Sequence, residues 1–402
     1  MTEKTKQQKL PANVIWISIA AMFNDISGEI VQRALPLFLA TTLGVSKSLI
    51  GAIEGIADTT ASLLQVVSGW YSDRWASRKT VAGAGYTMTA IARPLLYFAT
   101  TWVLPLISKF LDRAGKGIRT APRDALIADS VSPEMRGRAF GLSRALDPAG
   151  AVIGALLAAG FLYFWQGHAL ETISTSAWKT LMLIALVPSI IAAAIIFFIV
   201  REEVRDRKTP PPFSNILSVG RDKRFRKLLI VVTFFTLGLS SDAFLLLRAQ
   251  SLNITIWQIF VIIALFNLVT TLASYPAGVL SDKISRRALI RAGWITYAII
   301  YLGFALATEA WHIWVLYIVY GIFYGLTDGV EKAFVADLVR PEERGAAYGI
   351  YNGVIGIAVL PASLIAGFLW QYYGAAAPFY FGSAIALVST IWISTIKEVR
   401  PA

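Results

Sequence analysis

"GWYSDRWASRK" occupies residues 69–79, and "GVLSDKISRRA" occupies residues 278–288. Both place a Gly four residues before an Asp, follow the Asp with a cation, and carry a basic pair (Arg78-Lys79, Arg286-Arg287) at or next to their end. A second couple lies further along each half: "ADSVSPEMRGRAFG" at 128–141 and "ADLVRPEERGAAYG" at 336–349. The displacements are 209 residues (69 to 278) and 208 residues (128 to 336). Two different motifs moved by nearly the same distance indicate one unit present twice.

Composition says what the unit is made of. The chain has 402 residues, 56% hydrophobic and 15% charged, with mean hydropathy +0.60. A soluble domain carries about 45–50% apolar and about 25% charged residues. A chain this apolar cannot cover itself with a polar surface, so a bilayer is its solvent. About 20 mostly apolar residues cross a membrane as a helix. Twelve candidate spans meet that length: roughly 13–40, 48–71, 80–99, 104–127, 140–164, 178–200, 227–249, 256–280, 289–307, 312–336, 346–370 and 377–396. Segment 201–226, with its Pro-Pro-Pro run and mixed charge, reads as a linker on the membrane surface. The expected organisation is an N-terminal six-helix bundle over 1–200, a cytoplasmic linker over 201–226 and a C-terminal six-helix bundle over 227–402.

The formal net charge is +12 and the pI about 9.8. Lys4, Lys6, Lys9, Arg74, Arg78, Lys79, Arg136, Arg138, the linker cations, Lys283, Arg286, Arg287, Arg340, Arg344, Lys397 and Arg400 all fall on one side of the spans; the other side has little beyond Lys47 and Lys179. Cytoplasmic loops carry this bias. Both termini are therefore expected in the cytoplasm, in a multi-pass protein of the cell (inner) membrane. Basic charge spread over many short loops forms no patch, which argues against nucleic acid. The start of the chain is basic and then apolar without a small-residue cleavage site, so a retained first span is expected.

There are no cysteines, and His168 and His312 have no metal-ligand spacing, so neither thiolate nor imidazole metal sites are expected. No P-loop, nucleophile elbow or metal cluster is present. "GAGYTMTA" at 83–90 lies inside a span with no strand before it, which removes a dinucleotide reading. The expectation is no enzyme and no cofactor.

The repeated motifs resemble the major facilitator superfamily over essentially the whole chain. The loop signature of that family, Gly-x-Leu-Ala-Asp-Arg-x-Gly-Arg-Arg/Lys, is matched by Gly69, Asp73, Arg74, Arg78 and Lys79, with Ala76 and Ser77 departing from it. The second copy keeps Gly278, Leu280, Asp282, Lys283, Arg286 and Arg287, with Ser285 in place of Gly. The resemblance implies two six-helix bundles related by a pseudo-two-fold axis along the membrane normal. It also implies a monomer that moves a small-molecule substrate across the lipid bilayer. Gly69, Asp73, Arg74 and Arg136, with Gly278, Asp282, Lys283 and Arg344, are the expected cytoplasmic gate: the glycines allow close helix approach and the ions pair across helix ends. Arg113-Ala-Gly-Lys116-Gly117 stands where family exporters carry Arg-x-x-Gln-Gly, a place linked to proton coupling. Asp147-Pro148-Ala149-Gly150 loosely echoes the antiporter motif of span 5. These features resemble bacterial proton-coupled drug and metabolite exporters.

An ionisable side chain at bilayer depth costs at least about 2.5–3.5 kcal/mol unless it is paired or wet. Asp25, Glu29 and Arg33 recur every four residues on span 1; Glu54 and Asp58 do so on span 2. Arg113, Lys116, Arg119 and Arg123 follow 3-3-4 spacing on one face of span 4. The family fold puts spans 1, 4, 7 and 10 around a central cavity. All four carry ions: the span 1 and span 4 sets, then Asp242 and Arg248, then Asp328, Glu331 and Lys332. Asp25, Glu29, Glu54, Asp58 and Arg113 are the proton-coupling candidates; buried salt bridges without a coupling role are the competing reading. Arg33, Lys116, Arg119, Asp242, Asn267, Tyr320, Tyr324, Asp328, Tyr351 and Asn352 are the substrate-cavity candidates, with the tyrosines suited to a ring-bearing ligand or to plain packing. The leading expectation is proton-coupled export of an amphipathic or anionic organic compound. Proton-coupled uptake of a small organic anion comes second, and a non-transporting membrane sensor or scaffold is the alternative of another class.

Overall fold

The computed structural model describes residues 10–74, 77–132, 135–167, 171–202, 222–281, 284–339 and 344–396. The expected gate residues Asp282 and Lys283, and most of the linker, lie outside the described residues. For Gly69, Asp73, Arg74, Gly278, Asp328 and Arg344 only the helical backbone is described.

Among the described residues twelve helices follow one another: α1 (Ala12–Thr41), α2 (Lys47–Arg74), α3 (Arg78–Tyr97), α4 (Val103–Asp129), α5 (Arg136–Gln166), α6 (Thr175–Ile199, its last turn π-helical), α7 (Lys223–Ser251), α8 (Ile256–Ser281), α9 (Arg286–Leu306), α10 (Ala310–Leu338), α11 (Arg344–Tyr373) and α12 (Ala377–Ile393). No strand occurs among the described residues. Among the described residues, seven of these helices are long and apolar enough to cross a membrane by length and composition, α10 and α12 supply the shorter apolar stretches Ala310–Gly325 and Ala377–Ile393, and α2, α3 and α4 stand outside both sets. The exceptions are informative for α2, α3 and α4, whose charges turn inward rather than toward lipid. The outer surface is apolar, with Phe164, Phe198, Leu272, Ile299 and Ile391 fully or largely exposed.

Packing repeats with the sequence. In the first half α1 packs on α5 and α6, α2 on α4, and α3 on α4 and α6. In the second half α7 packs on α11 and α12, α8 on α10, and α9 on α10 and α12. Every partner is the first-half partner advanced by six helices. The halves meet through α2 with α11, α5 with α8, and α1 with α7, a set that maps onto itself when the halves are exchanged. That is the pseudo-two-fold architecture expected of a duplicated unit.

Glycines set the closest approaches. A Cβ on Gly150 of α5 would lie 2.5 Å from the Met22 carbonyl oxygen of α1, and Gly154 one turn on meets the Ile26 backbone. This is the small-residue spacing that lets membrane helices touch backbone to backbone. Gly51 and Gly55 of α2 meet Ser363 and Leu360 of α11 in the same manner, across the two halves.

The duplicated motifs are partners in space. Ser77 caps α3 by accepting from Thr80 N at 3.0 Å, and Ser285 caps α9 by accepting from Ala288 N at 3.2 Å. Those two serines are among the positions that depart from the family signature, and a side-chain cap explains them. The next residues, Arg78 and Arg286, reach Asp129 at 2.6 Å and Asp337 at 2.5 Å. In each half the arginine of the first motif grips the Asp of the second, because the start of one helix lies beside the end of the next.

Helix α7 is broken at residues 238–241 into Lys223–Leu237 and Asp242–Ser251. Gly238 faces Gly382 of α12, where neither can carry a side chain without a clash. The polar groups released by the break find partners on α9: Tyr297 OH donates to the Gly238 carbonyl at 3.1 Å, and Ser240 Oγ lies 3.0 Å from Tyr301 OH. Ser241 caps the second segment. Irregular backbone at membrane depth is tolerated when satisfied this way.

Candidate functional site: an ion-lined cavity between the halves

A cavity of about 460 Å³ lies between the halves, within the ~300–1,000 Å³ of small-molecule sites. From the first half it is lined by Asn24, Asp25, Glu29, Gln32 and Arg33 of α1, by Arg113, Lys116 and Arg119 of α4, and by Asp147 of α5. From the second half come Asp242 of α7 and Asn267, Thr270, Thr271 and Ser274 of α8. The spacings explain the convergence. Residues at i, i+4 and i+8 on α1, and at i, i+3 and i+6 on α4, each stay on one helix face.

The ions divide into paired and unpaired sets. Arg33 Nη1 donates to Asp242 at 2.8 Å and its Nε to Glu29 at 3.1 Å. Asn267 Nδ2 also donates to Glu29, at 3.0 Å. Glu29, Arg33, Asp242 and Asn267 thus form one network that ties α1 to α7 and α8, across the halves. A second link stands beside it. Lys109 of α4 donates to Glu54 of α2, both only 4% exposed, and Ser241 at the α7 break donates to the other Glu54 oxygen at 3.2 Å. Arg113 pairs with Asp58 at 3.0 Å. Arg123 holds Asp124 at 3.0 Å and Asp147 at 3.4 Å. Arg93 is 1% exposed and reaches Asp112 at 3.5 Å.

Asp25, Lys116 and Arg119 have no ion-pair partner among the described residues. Arg119 is held by a bond to Thr89 Oγ1 at 3.0 Å and by the Tyr86 ring, 5.2 Å from its guanidinium carbon. That leaves part of its donor fork facing the cavity. Lys116 is exposed to it.

Contacts between the halves seal the end of the molecule away from the chain termini. Ser48 Oγ donates to the Gly367 carbonyl at 3.2 Å, Thr59 Oγ1 to the Gly356 carbonyl at 2.7 Å, and Lys47 N to Gln371 at 3.1 Å. Tyr163 and Trp257 stack edge to face at 5.1 Å on the opposite flank. The ion-lined cavity lies on the terminal side of this seal.

The sequence-expected residues fall into three groups. Asp25, Glu29, Arg33, Arg113, Lys116, Arg119, Asp242 and Asn267 come together in the cavity. Glu54 and Asp58 stand just behind it in ion pairs. The tyrosines do not line it. Tyr320 is 1% and Tyr351 3% exposed. Tyr320 and Tyr324 join Phe266, Tyr297, Tyr301 and Phe323 in an aromatic core, while Tyr351 OH donates to Glu331 at 2.8 Å. Asn352 is half-buried on α11 and Arg136 is exposed at the start of α5. Arg248 turns away from the cavity and donates to the carbonyls of Phe304 and Ala307 at 3.0 and 2.7 Å, closing the end of α9.

Sequence reasoning missed Lys109, Ser241 and the α8 hydroxyls. Lys109 carried a usable signal: it lies four residues before Arg113, on the same face. Asn267, Thr270, Thr271 and Ser274 also carried one, at i, i+3, i+4 and i+7 on an otherwise apolar helix. Nothing local marks Ser241, which matters only because α7 breaks beside Glu54.

Two six-helix membrane bundles closed at one end over a polar, ion-lined cavity define a transporter of small molecules, not an enzyme. The chain belongs to the Major Facilitator Superfamily, whose family model matches residues 17–248 and 228–402. It is 33% identical over 393 residues to an uncharacterised MFS-type transporter of Methanocaldococcus jannaschii, MJ1317, covering 95% of this chain and 94% of that one. The proton-coupled antiporter flippase LtaA of Staphylococcus haemolyticus is 30% identical over 106 residues, 26% of this chain and 27% of its own. Among solved structures, the nucleoside transporter NupG superposes with a TM-score of 0.77 at 12% identity, over 96% of this chain and 99% of that one. That likeness speaks to the fold alone.

Proposed function

We propose that the protein is a proton-coupled carrier of a small hydrophilic organic anion, working as a monomer in the cell (inner) membrane. The termini face the cytoplasm, following the placement of the basic loops, so the cavity stands on the cytoplasmic side of a closed outer seal. The halves, 1–200 and 227–402, rock about the linker 201–226. The Glu29–Arg33–Asp242–Asn267 network and the Lys109–Glu54–Ser241 link are contacts made on one side of that cycle and released on the other.

One observation carries the reading: unpaired Asp25 shares the cavity with unpaired Lys116 and Arg119. An anion seated on the two cations cancels their charge and repels a further negative charge beside it. The occupied site therefore takes up a proton on Asp25 together with the anion. Ligands that favour each other's binding travel together. The geometry thus favours symport, with uptake under an inward proton gradient. Antiport export is the second reading, supported by the partial likeness to LtaA. The paucity of apolar lining speaks for an anion over an amphipathic compound.

Reconstitution in liposomes separates these. With an acid exterior, symport accumulates labelled organic anions inside, and adding the anion outside raises external pH. Antiport gives flux in the opposite direction. Asp25→Asn is expected to keep anion exchange at equal pH and to lose gradient-driven accumulation. Gradient-driven accumulation at the unchanged level in Asp25→Asn would remove Asp25 from the coupling role.

A further inference from the structure

We infer that the cavity takes a polyhydroxylated organic anion, a carbon chain or ring of hydroxyl groups ending in a carboxylate or phosphate; this rests on the transport reading above and names its substrate class. The two walls of the cavity differ in hydrogen-bond character. The α4 wall presents donors and positive charge through Lys116 and Arg119, and asks for an anionic group.

The α8 wall presents the reverse. Thr271 Oγ1 donates its hydrogen to the Asn267 carbonyl at 2.8 Å, and Ser274 Oγ donates to the Thr270 carbonyl at 2.7 Å. With their hydrogens spent on the helix backbone, both hydroxyls offer only lone pairs to the cavity. Asn267 spends its amide hydrogens' side on Glu29, which leaves its carbonyl oxygen as an acceptor. Thr270 Oγ1, buried at the edge of the same stripe, has no hydrogen-bond partner among the described residues. Three acceptors and an unsatisfied hydroxyl therefore follow one stripe, four residues within two helical turns. Thr271 and Ser274 stand open in the cavity; a ligand that displaces water from these oxygens without donating in turn leaves acceptors unpaired at a cost, so the matching ligand surface carries O–H or N–H donors.

Hydroxyls fit better than an ammonium. The α8 stripe has no carboxylate, and Asp242 beside it is already bound to Arg33. An ammonium placed among neutral oxygens would stay incompletely paired. Among the described residues that line the cavity there is no aromatic ring for an apolar ring-bearing compound to lie against; those of the second half are packed into one another.

The test uses the purified full chain in detergent, with binding measured by isothermal titration calorimetry. The probes are gluconate, glucose 6-phosphate, hexanoate, sorbitol and glutamine. Gluconate or glucose 6-phosphate is expected to bind at least about tenfold more tightly than hexanoate, and sorbitol and glutamine not to register. Whichever of the first two leads identifies the anionic group as carboxylate or phosphate. Thr271→Val is expected to weaken the hydroxylated anion by roughly three- to tenfold, the loss of one hydrogen bond, and to leave hexanoate unaffected. Thr271→Ser restores the affinity, which sets a lost acceptor apart from a damaged fold. Equal affinity for hexanoate, preference for glutamine, no binding of either hydroxylated acid, or equal loss for both anions in Thr271→Val overturns the inference. Proton-driven uptake of hexanoate without preference for hydroxyls overturns it while leaving the transport reading intact. Binding of a hydroxylated acid with no flux under any gradient does the opposite.

Discussion

Replacing Asp242 by Asn tests how the outer seal is held. Arg33 Nη1 donates to Asp242 at 2.8 Å, and the side chains are 17% and 41% exposed. Breaking a fully buried pair costs about 3–5 kcal/mol, and an exposed pair about 0.2–1 kcal/mol. Asp242 is partly wet, and Arg33 keeps Glu29 at 3.1 Å as a second partner. The change therefore falls between those limits, near 1–2 kcal/mol. At about 1.4 kcal/mol per tenfold, the outward-open population should rise roughly five- to thirtyfold. The chain has no cysteine, so a single Ala151→Cys at the cavity wall reports access without a background signal. In right-side-out vesicles, a membrane-impermeant maleimide should label that thiol faster from outside when Asp242→Asn is added. Asp242→Glu should return the rate most of the way. An external labelling rate unchanged within about twofold, in protein that still elutes as a single species, would refute the idea that this ion pair holds the seal.

Four further outcomes follow from the same geometry. Lys109→Met strands the Glu54 carboxylate in a site 4% exposed and should lower thermal stability in detergent by about 3–5 kcal/mol; adding Glu54→Leu should recover most of it, and no recovery would mean the pair is not the cause. Gly154→Ala drives a Cβ into the Ile26 backbone within one half and should reduce the yield of folded protein. Gly51→Ala makes a like clash with Ser363 across the halves, so its main effect should be faster external labelling of the Ala151→Cys thiol with folding retained. Glu202→Ala should loosen the start of α3 by about 0.5–2 kcal/mol, the scale of a lost cap, since Glu202 accepts from Ser77 Oγ at 2.6 Å and from Lys79 N at 3.1 Å; hydrogen exchange at the first turn of α3 reads it.

Much of this protein is written in local chemistry. Hydropathy and the twofold repeat determine twelve helices in two like bundles, because span length and the need to bury backbone polar groups leave a membrane chain few choices. Helical periodicity also determines that Asp25, Glu29 and Arg33 share a face, as do Arg113, Lys116 and Arg119. The rest depends on which helix stands beside which. Only the packing of α4 on α2 tells that Glu54 meets Lys109 and Asp58 meets Arg113, and therefore that Asp25 and Lys116 are left without an ion-pair partner among the described residues. Only the break in α7 brings Ser241 to Glu54. Tyr320 and Tyr324, one turn apart, look alike whether they face a cavity or a core, and the tertiary structure put Tyr320 in the core because α8 and α9 supply the aromatic neighbours. Periodicity fixes the direction of a side chain about its own helix axis; what stands opposite is set by contacts between residues far apart in the chain, 55 positions for Glu54 with Lys109 and 209 for Arg33 with Asp242, and no local pattern encodes those.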